Sequence, residues 1–217
     1  MSLKPLIQPT GPLMQHGERF NGYTHLAGLL LALGGAVWLV QRAATSGDAG
    51  YLAGVWVFGL CSVLVYAAST LYHGATGAAK RLWLRLDHCA IFMLIAGSYT
   101  PFALAAPHGA WNHALLAAVW AAAAYGIWRE ARRATSEPPS LRSYLAVGWL
   151  SVGGACIAAV DANAVAVMWL LAGAFVYTAG TVVYRNLEGW THGHGLWHLC
   201  VLAGNVCHYL SVRNLVP

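Results

Sequence analysis

Charged side chains are scarce in this chain: Asp, Glu, Lys and Arg make up 9% of its 217 residues, against roughly 25% in soluble domains. A soluble fold would lack the polar surface to cover itself. The five cysteines (Cys61, Cys89, Cys156, Cys200, Cys207) all lie in apolar segments without a C-x-x-C spacing, which excludes a disulfide framework and a thiolate metal site. They read as small packing residues. Long basic runs are missing as well, so the net charge of +5 does not point to nucleic acid, and no nucleic-acid partner is expected. The first twenty residues contain Pro5, Pro9 and Pro12 and no apolar core, so a cleavable signal peptide is not expected and the first helix must direct insertion. There is no internal repeat, and the Pro138-Pro139 turn is the only low-complexity feature.

Apolar residues are plentiful: 59% of the chain is hydrophobic and the mean hydropathy is +0.56. The 24 glycines suit membrane helices, where small residues let backbones approach closely. About 20 apolar residues cross the hydrocarbon core as a helix, the form in which the backbone satisfies its own hydrogen bonds. Seven such stretches are present: Tyr23–Val40, Tyr51–Tyr72, Leu86–Ala106, Trp111–Trp128, Tyr144–Val160, Ala164–Tyr184 and His194–Val212. The expected fold is an all-α, polytopic membrane protein, a seven-transmembrane-helix bundle forming one domain over residues 1–217. Trp38, Tyr51, Tyr72, Trp111, Trp128 and Tyr184 stand at span ends, where aromatic rings prefer the headgroup level.

Lys and Arg set the orientation, because positive loops stay in the cytoplasm. With alternating helices, Lys4, Arg19, Lys80, Arg81, Arg85, Arg129, Arg132, Arg133, Arg142 and Arg185 fall on one side, and Arg42 and Arg213 on the other. The N-terminus, with residues 1–20 as a cytoplasmic segment, is therefore expected inside and the C-terminus outside.

His194 and His198 are spaced i, i+4 at the start of the seventh span, so both imidazoles leave one helix face a turn apart. Ten histidines placed at random would produce about 0.4 to 0.5 such pairs, so spacing alone decides nothing. Topology adds what spacing lacks. Ser69 and His73 have the same spacing at the inner end of the second span, and Asp87 stands at the inner start of the third. Three helices thus bring metal-compatible groups to one depth, and ionisable groups at membrane depth mark function by default. Three neutral imidazoles with an open fourth position fit a catalytic zinc, which lowers the pKa of its water to about 7. Asp87 and Ser69 are the candidates to orient or deprotonate that water.

The segments Ser69-Thr70-Leu71-Tyr72-His73, Leu86-Asp87-His88 and His194-Gly195-Leu196-Trp197-His198, in this order, resemble the hemolysin III branch of the progestin and adipoQ receptor family. Asn21-Gly22-Tyr23-Thr24-His25 and Ser98-Tyr99-Thr100-Pro101 are similar to that branch too. The resemblance covers almost the whole chain. It implies a seven-helix fold in the bacterial plasma (inner) membrane, with a cytoplasm-side zinc on His73, His194 and His198 and with Ser69 and Asp87 beside it. Adiponectin receptors and alkaline ceramidases in the wider superfamily imply hydrolysis of a lipid amide. Gly195 departs from bacterial relatives, which often carry an acidic residue there.

Simpler expectations stand beside these. Asp87 pairs with Arg85 in one reading, and Ser69 bonds back to its own helix. His16, His25, His88, His108, His113 and His192 read as interfacial, and His208 with Asn205 as a buried, satisfied pair or as the lining of a polar path toward the outer side. Tyr99, Thr100 and Pro101 mark a kink in the third span. Two functions follow: a zinc-dependent hydrolase of a lipid amide or ester bond, with a membrane lipid as substrate, or a non-enzymatic receptor, sensor or pore-forming cytolysin in which zinc is structural. The sequence sets no oligomeric state.

Overall fold

In the computed structural model, residues 18–105, 109–134, 136–159, 163–186 and 192–215 are described. They form seven helices: α1 (Arg19–Thr45), α2 (Ala49–Gly74), α3 (Gly77–Ala105), α4 (Gly109–Arg132), α5 (Leu141–Ala159), α6 (Ala164–Arg185) and α7 (Gly193–Arg213). Each expected span lies on one helix; its ends at Ala106 and Val160 fall outside the described residues. α3 begins nine residues before its apolar stretch, because Ala78, Ala79, Lys80 and Arg81 are good helix formers that need no lipid around them. The same chemistry sets other ends: Asp48 caps α2 by accepting from the Tyr51 N–H at 2.8 Å, and Asn163 caps α6 by accepting from Val165 at 2.9 Å.

The chain is an all-α polytopic membrane protein. By length and composition, α1, α2, α3, α5 and α6 are apolar enough to cross a membrane. α7 misses that mark while carrying His194, His198, Asn205 and His208, of which all but His194 are buried. Its polar groups face the bundle, and large apolar side chains such as Leu30, Trp56, Leu60, Met168 and Phe175 cover the outside. α3 is the inner helix, packed on α2, α4, α5 and α7, while α1 closes the assembly against α2 and α7.

Small residues set the closest crossing. A Cβ on Gly54 would lie 2.5 Å from the Pro101 Cα, and one on Gly50 would lie 2.2 Å from the Leu104 carbonyl oxygen. These glycines, one turn apart on α2, let its backbone touch α3 at the end that carries Pro101. Pro101 itself sits inside α3, which continues to Ala105. Gly54→Leu must push two backbones apart and is expected to destabilise the bundle by at least about 2 kcal/mol. Gly34→Ala, whose Cβ meets nothing within 4 Å, is the control. Thermal melting in detergent checks the pair, and equal midpoints contradict this account of the crossing.

Candidate metal centre

His73 ends α2, while His194 and His198 open α7, so all three meet at the Lys- and Arg-rich end of the bundle. Their ring centroids lie 5.3 Å (His73–His194), 4.9 Å (His73–His198) and 4.6 Å (His194–His198) apart. One ligand nitrogen from each falls within 4.8 Å of the others. Tetrahedral zinc with bonds of about 2.0–2.1 Å needs nitrogens about 3.3 Å apart. Side-chain shifts on the order of 1 Å or less bring the three onto one ion.

Two of the rings are held from behind. His73 Nδ1 bonds the Glu18 carboxylate, whose other oxygen accepts from Lys80 Nζ at 3.0 Å. His198 Nδ1 donates to the Asn21 main-chain carbonyl at 3.0 Å, with the Thr24 hydroxyl at 3.3 Å. With Nδ1 engaged, each ring keeps Nε2 as its lone-pair donor, the usual arrangement behind a metal-ligating histidine. His73 Nε2 is buried and has no partner among the described residues. Glu18 stays ionised: its hydrogen bond to His73 outweighs its partial burial and, with Lys80, lowers its pKa from 4.5 to about 2.

Beside His194 and His198 lies a cavity of about 30 Å³ lined also by Ser69, Asp87, His88 and Tyr144, among others, large enough for one or two waters. Ser69 is fully buried, and its hydroxyl has no partner among the described residues rather than bonding back to α2. Asp87 faces Ser69 and forms no ion pair among the described residues, so the expected pairing with Arg85 does not occur. A second, apolar cavity of about 90 Å³ between α3, α5, α6 and α7 shares Val65, Ile91, Tyr144, Trp197 and Val201 with the first.

Several residues stand where sequence reasoning did not put them. His25 is not interfacial: it is 3% exposed, stacks on His198 with centroids 3.6 Å apart, and has no partner for either nitrogen among the described residues. Glu18 was missed altogether. Glu18, Asn21 and His25 follow one another at i, i+3 and i+7, a single stripe of α1 and its first turn, and that spacing was the available signal. His88 is tied down by Arg133 at 2.8 Å, and Arg133 in turn holds the buried Glu130 at 2.7 Å. His208 and Asn205 do not pair. Asn205 accepts from Ser62 of α2 at 3.4 Å, whereas His208 stands against Tyr177 of α6 with Nε2 unpartnered. His16 and His108 lie outside the described residues.

Residues 13–209 match the family described as haemolysin-III related. The chain belongs to the haemolysin III family. This haemolysin III protein is 33% identical to the "Hemolysin-3 homolog" of Bacillus subtilis (strain 168) over 199 residues, covering 90% of this chain and 92% of the relative. It is 32% identical to "Hemolysin-3" of Bacillus cereus, covering 90% of each. The human "Monocyte to macrophage differentiation factor" is 24% identical over 201 residues, 88% of this chain and 81% of the relative. Gly195 also finds its reason here. A Cβ there would lie 2.1 Å from the Phe20 ring, so the missing side chain lets the start of α1 press on α7 and deliver the Asn21 carbonyl to His198.

Proposed function

We propose that this haemolysin III protein is a zinc-dependent hydrolase of a lipid amide or ester bond, working at the cytoplasmic face of a bacterial inner membrane. The observation that carries the reading is the convergence of three imidazoles, two of them pinned through Nδ1, beside a small cavity lined by His194, His198, Asp87 and a serine hydroxyl without a partner among the described residues. Buried polar atoms left without partners are costly, and a cation with a water in that cavity satisfies them. No cysteine lines the cavity, and three imidazoles with one open position match catalytic rather than structural zinc. Zinc held by His73, His194 and His198 supplies Lewis acidity toward a carbonyl and an acidified water.

The protein's own groups do the rest. Ser69 orients the attacking water, and Asp87 takes its proton as the oxygen bonds the acyl carbon, then passes that proton to the departing nitrogen or oxygen. The apolar cavity beside Val65, Trp197 and Val201 receives part of the acyl chain next to the scissile bond. Lys80, Arg81 and Arg85 at the same end of the bundle favour a cytoplasmic position.

The test is release of fatty acid from a panel of lipid amides and esters by zinc-loaded protein. His194→Ala and Asp87→Asn are each expected to cut turnover at least about 100-fold with expression unchanged. Zinc-replete protein inert on the whole panel contradicts the hydrolase. The name of the Bacillus cereus relative, "Hemolysin-3", motivates a pore as the second reading. A pore predicts bilayer conductance that survives His194→Ala.

A further inference from the structure

The end of the bundle opposite the histidines carries two arginines, Arg42 in the last turn of α1 and Arg213 in the last turn of α7. Helix C-termini favour cations, which accounts for one charge on each helix. It does not account for where the two side chains go. Both guanidinium carbons stand over one indole, that of Trp38, at 5.7 Å (Arg42) and 5.4 Å (Arg213) from the ring centroid. Trp38 and Arg42 are about a turn apart on α1. Arg213 reaches them from the far end of the chain, because α7 is fastened there. The buried Tyr51 hydroxyl of α2 donates to the Val212 carbonyl at 2.9 Å, and Tyr209 lies against Trp38 with centroids 6.3 Å apart. Neither guanidinium forms an ion pair among the described residues, and Asp48, at the same end, caps α2 instead. Two like charges gathered without a counter-charge call for an anion. Arginine forks suit phosphate oxygens, which accept parallel N–H bonds.

Trp38 also lines a cavity of about 430 Å³ between α1, α2 and α7, and that cavity says what carries the phosphate. Tyr66 and Tyr209 close its inner side: a Cβ on Gly28 would lie 2.8 Å from the Tyr66 ring, and one on Gly35 3.0 Å from the Tyr209 ring. The space that remains is an outward groove over Gly34, where a Cβ would meet nothing within 4 Å. Leu31, Trp38 and Val206 edge it while being 60%, 41% and 44% exposed, so in a membrane it opens to lipid. Ser62 and Asn205 in its lining bond to each other, and no acidic or basic side chain lines it, so its wall suits hydrocarbon. On α1 it runs from Gly28 to Leu39, about 16 Å of helix, which matches half of the roughly 30 Å hydrocarbon core. We propose that the Arg42–Arg213 pair and this groove bind one anionic phospholipid, its phosphate on the two guanidiniums and an acyl chain along the groove. With no carboxylate free to meet a headgroup amine among the described residues at this end, the site selects a lipid of net negative charge over a zwitterionic one. It shares no lining residue with the histidine centre, so it stands whether or not the hydrolase reading does.

Native mass spectrometry of the full-length protein in detergent counts bound lipid directly, with phosphatidylglycerol and phosphatidylcholine of identical chains as probes. The first lipid bound is expected to be phosphatidylglycerol, preferred at least about tenfold. Arg42→Gln combined with Arg213→Gln is expected to abolish the preference. Arg81→Gln combined with Arg85→Gln removes the same charge from exposed residues at the other end and is expected to keep it. Gly34→Leu fills the groove from a position with free space around it, so the bundle keeps its packing, and is expected to weaken the first phosphatidylglycerol about tenfold. Inorganic phosphate at millimolar concentration, which has the anion without the chain, is expected to displace none of it. Equal retention of the two lipids by the parent, or loss of the preference in the Arg81, Arg85 variant, overturns the proposal. An unchanged titration in Gly34→Leu, or displacement of the lipid by inorganic phosphate, reduces the site to a free-anion pocket and overturns it as well.

Discussion

Alanine in place of His73, His194 or His198 is expected to take the zinc content of the purified protein from about one equivalent to below about a tenth of one. In the proposed centre the three imidazoles are the whole protein ligand set, and two rings with extra water would hold zinc too weakly to survive purification. Stability supplies a second readout. A metal that binds only the folded state at a thousand times its dissociation constant stabilises it by about 4 kcal/mol. Chelation is therefore expected to lower the melting temperature of the parent and to leave the alanine variants where they were. Elemental analysis and thermal melting with and without chelator check both. A His198→Ala protein with full zinc, or a parent indifferent to chelation, contradicts the assignment.

Glu18→Ala is expected to weaken zinc binding by about 10- to 100-fold, the usual cost of removing a carboxylate behind a metal-ligating histidine, while the helical bundle stays folded. Glu18 touches His73 on the face away from the cluster and sets which nitrogen stays free. Its pairing with Lys80 is partly in solvent, the two side chains being 25% and 27% exposed, so losing that contact costs little stability. Asn21→Ala provides the contrast. His198 is held by the main-chain carbonyl of Asn21, so removing the side chain is expected to leave affinity within about threefold of the parent. Competitive titration against a zinc chelator measures both. Equal affinities for Glu18→Ala and the parent would show that the carboxylate does not position the ring.

The helices and the triad were legible for one reason each. Seven stretches of spanning length stand out, five of them on helices apolar enough to cross a membrane by composition alone, and alternation then fixes which helix ends share a side. His73, Ser69 and Asp87 thereby fall level with His194 and His198 before any coordinates are known. What stayed hidden lies on α1. Glu18 precedes the first apolar stretch, outside every span, so nothing in the order of the spans ties it to the histidines. His25 read as interfacial because nothing told which face of α1 turns inward. In lipid, the outer face is as apolar as the core, so the periodicity that exposes the buried stripe of a soluble helix fades. The polar set on α7 was visible as composition, but which helix each side chain meets depends on small residues elsewhere: Gly173, where a Cβ would lie 2.4 Å from the His208 ring, and Gly204, where one would lie 2.8 Å from Tyr177. Gly195 is the same case. As a departure from an acidic residue it speaks only against a second carboxylate at the site, and its bareness is what admits Phe20 and Asn21.

Zinc K-edge X-ray absorption on the purified, metal-loaded protein addresses the centre directly. Three imidazole nitrogens at about 2.0–2.1 Å with one further light atom are the predicted shell. A shell containing sulfur at about 2.3 Å, or fewer than two imidazoles, would contradict a metal held by His73, His194 and His198.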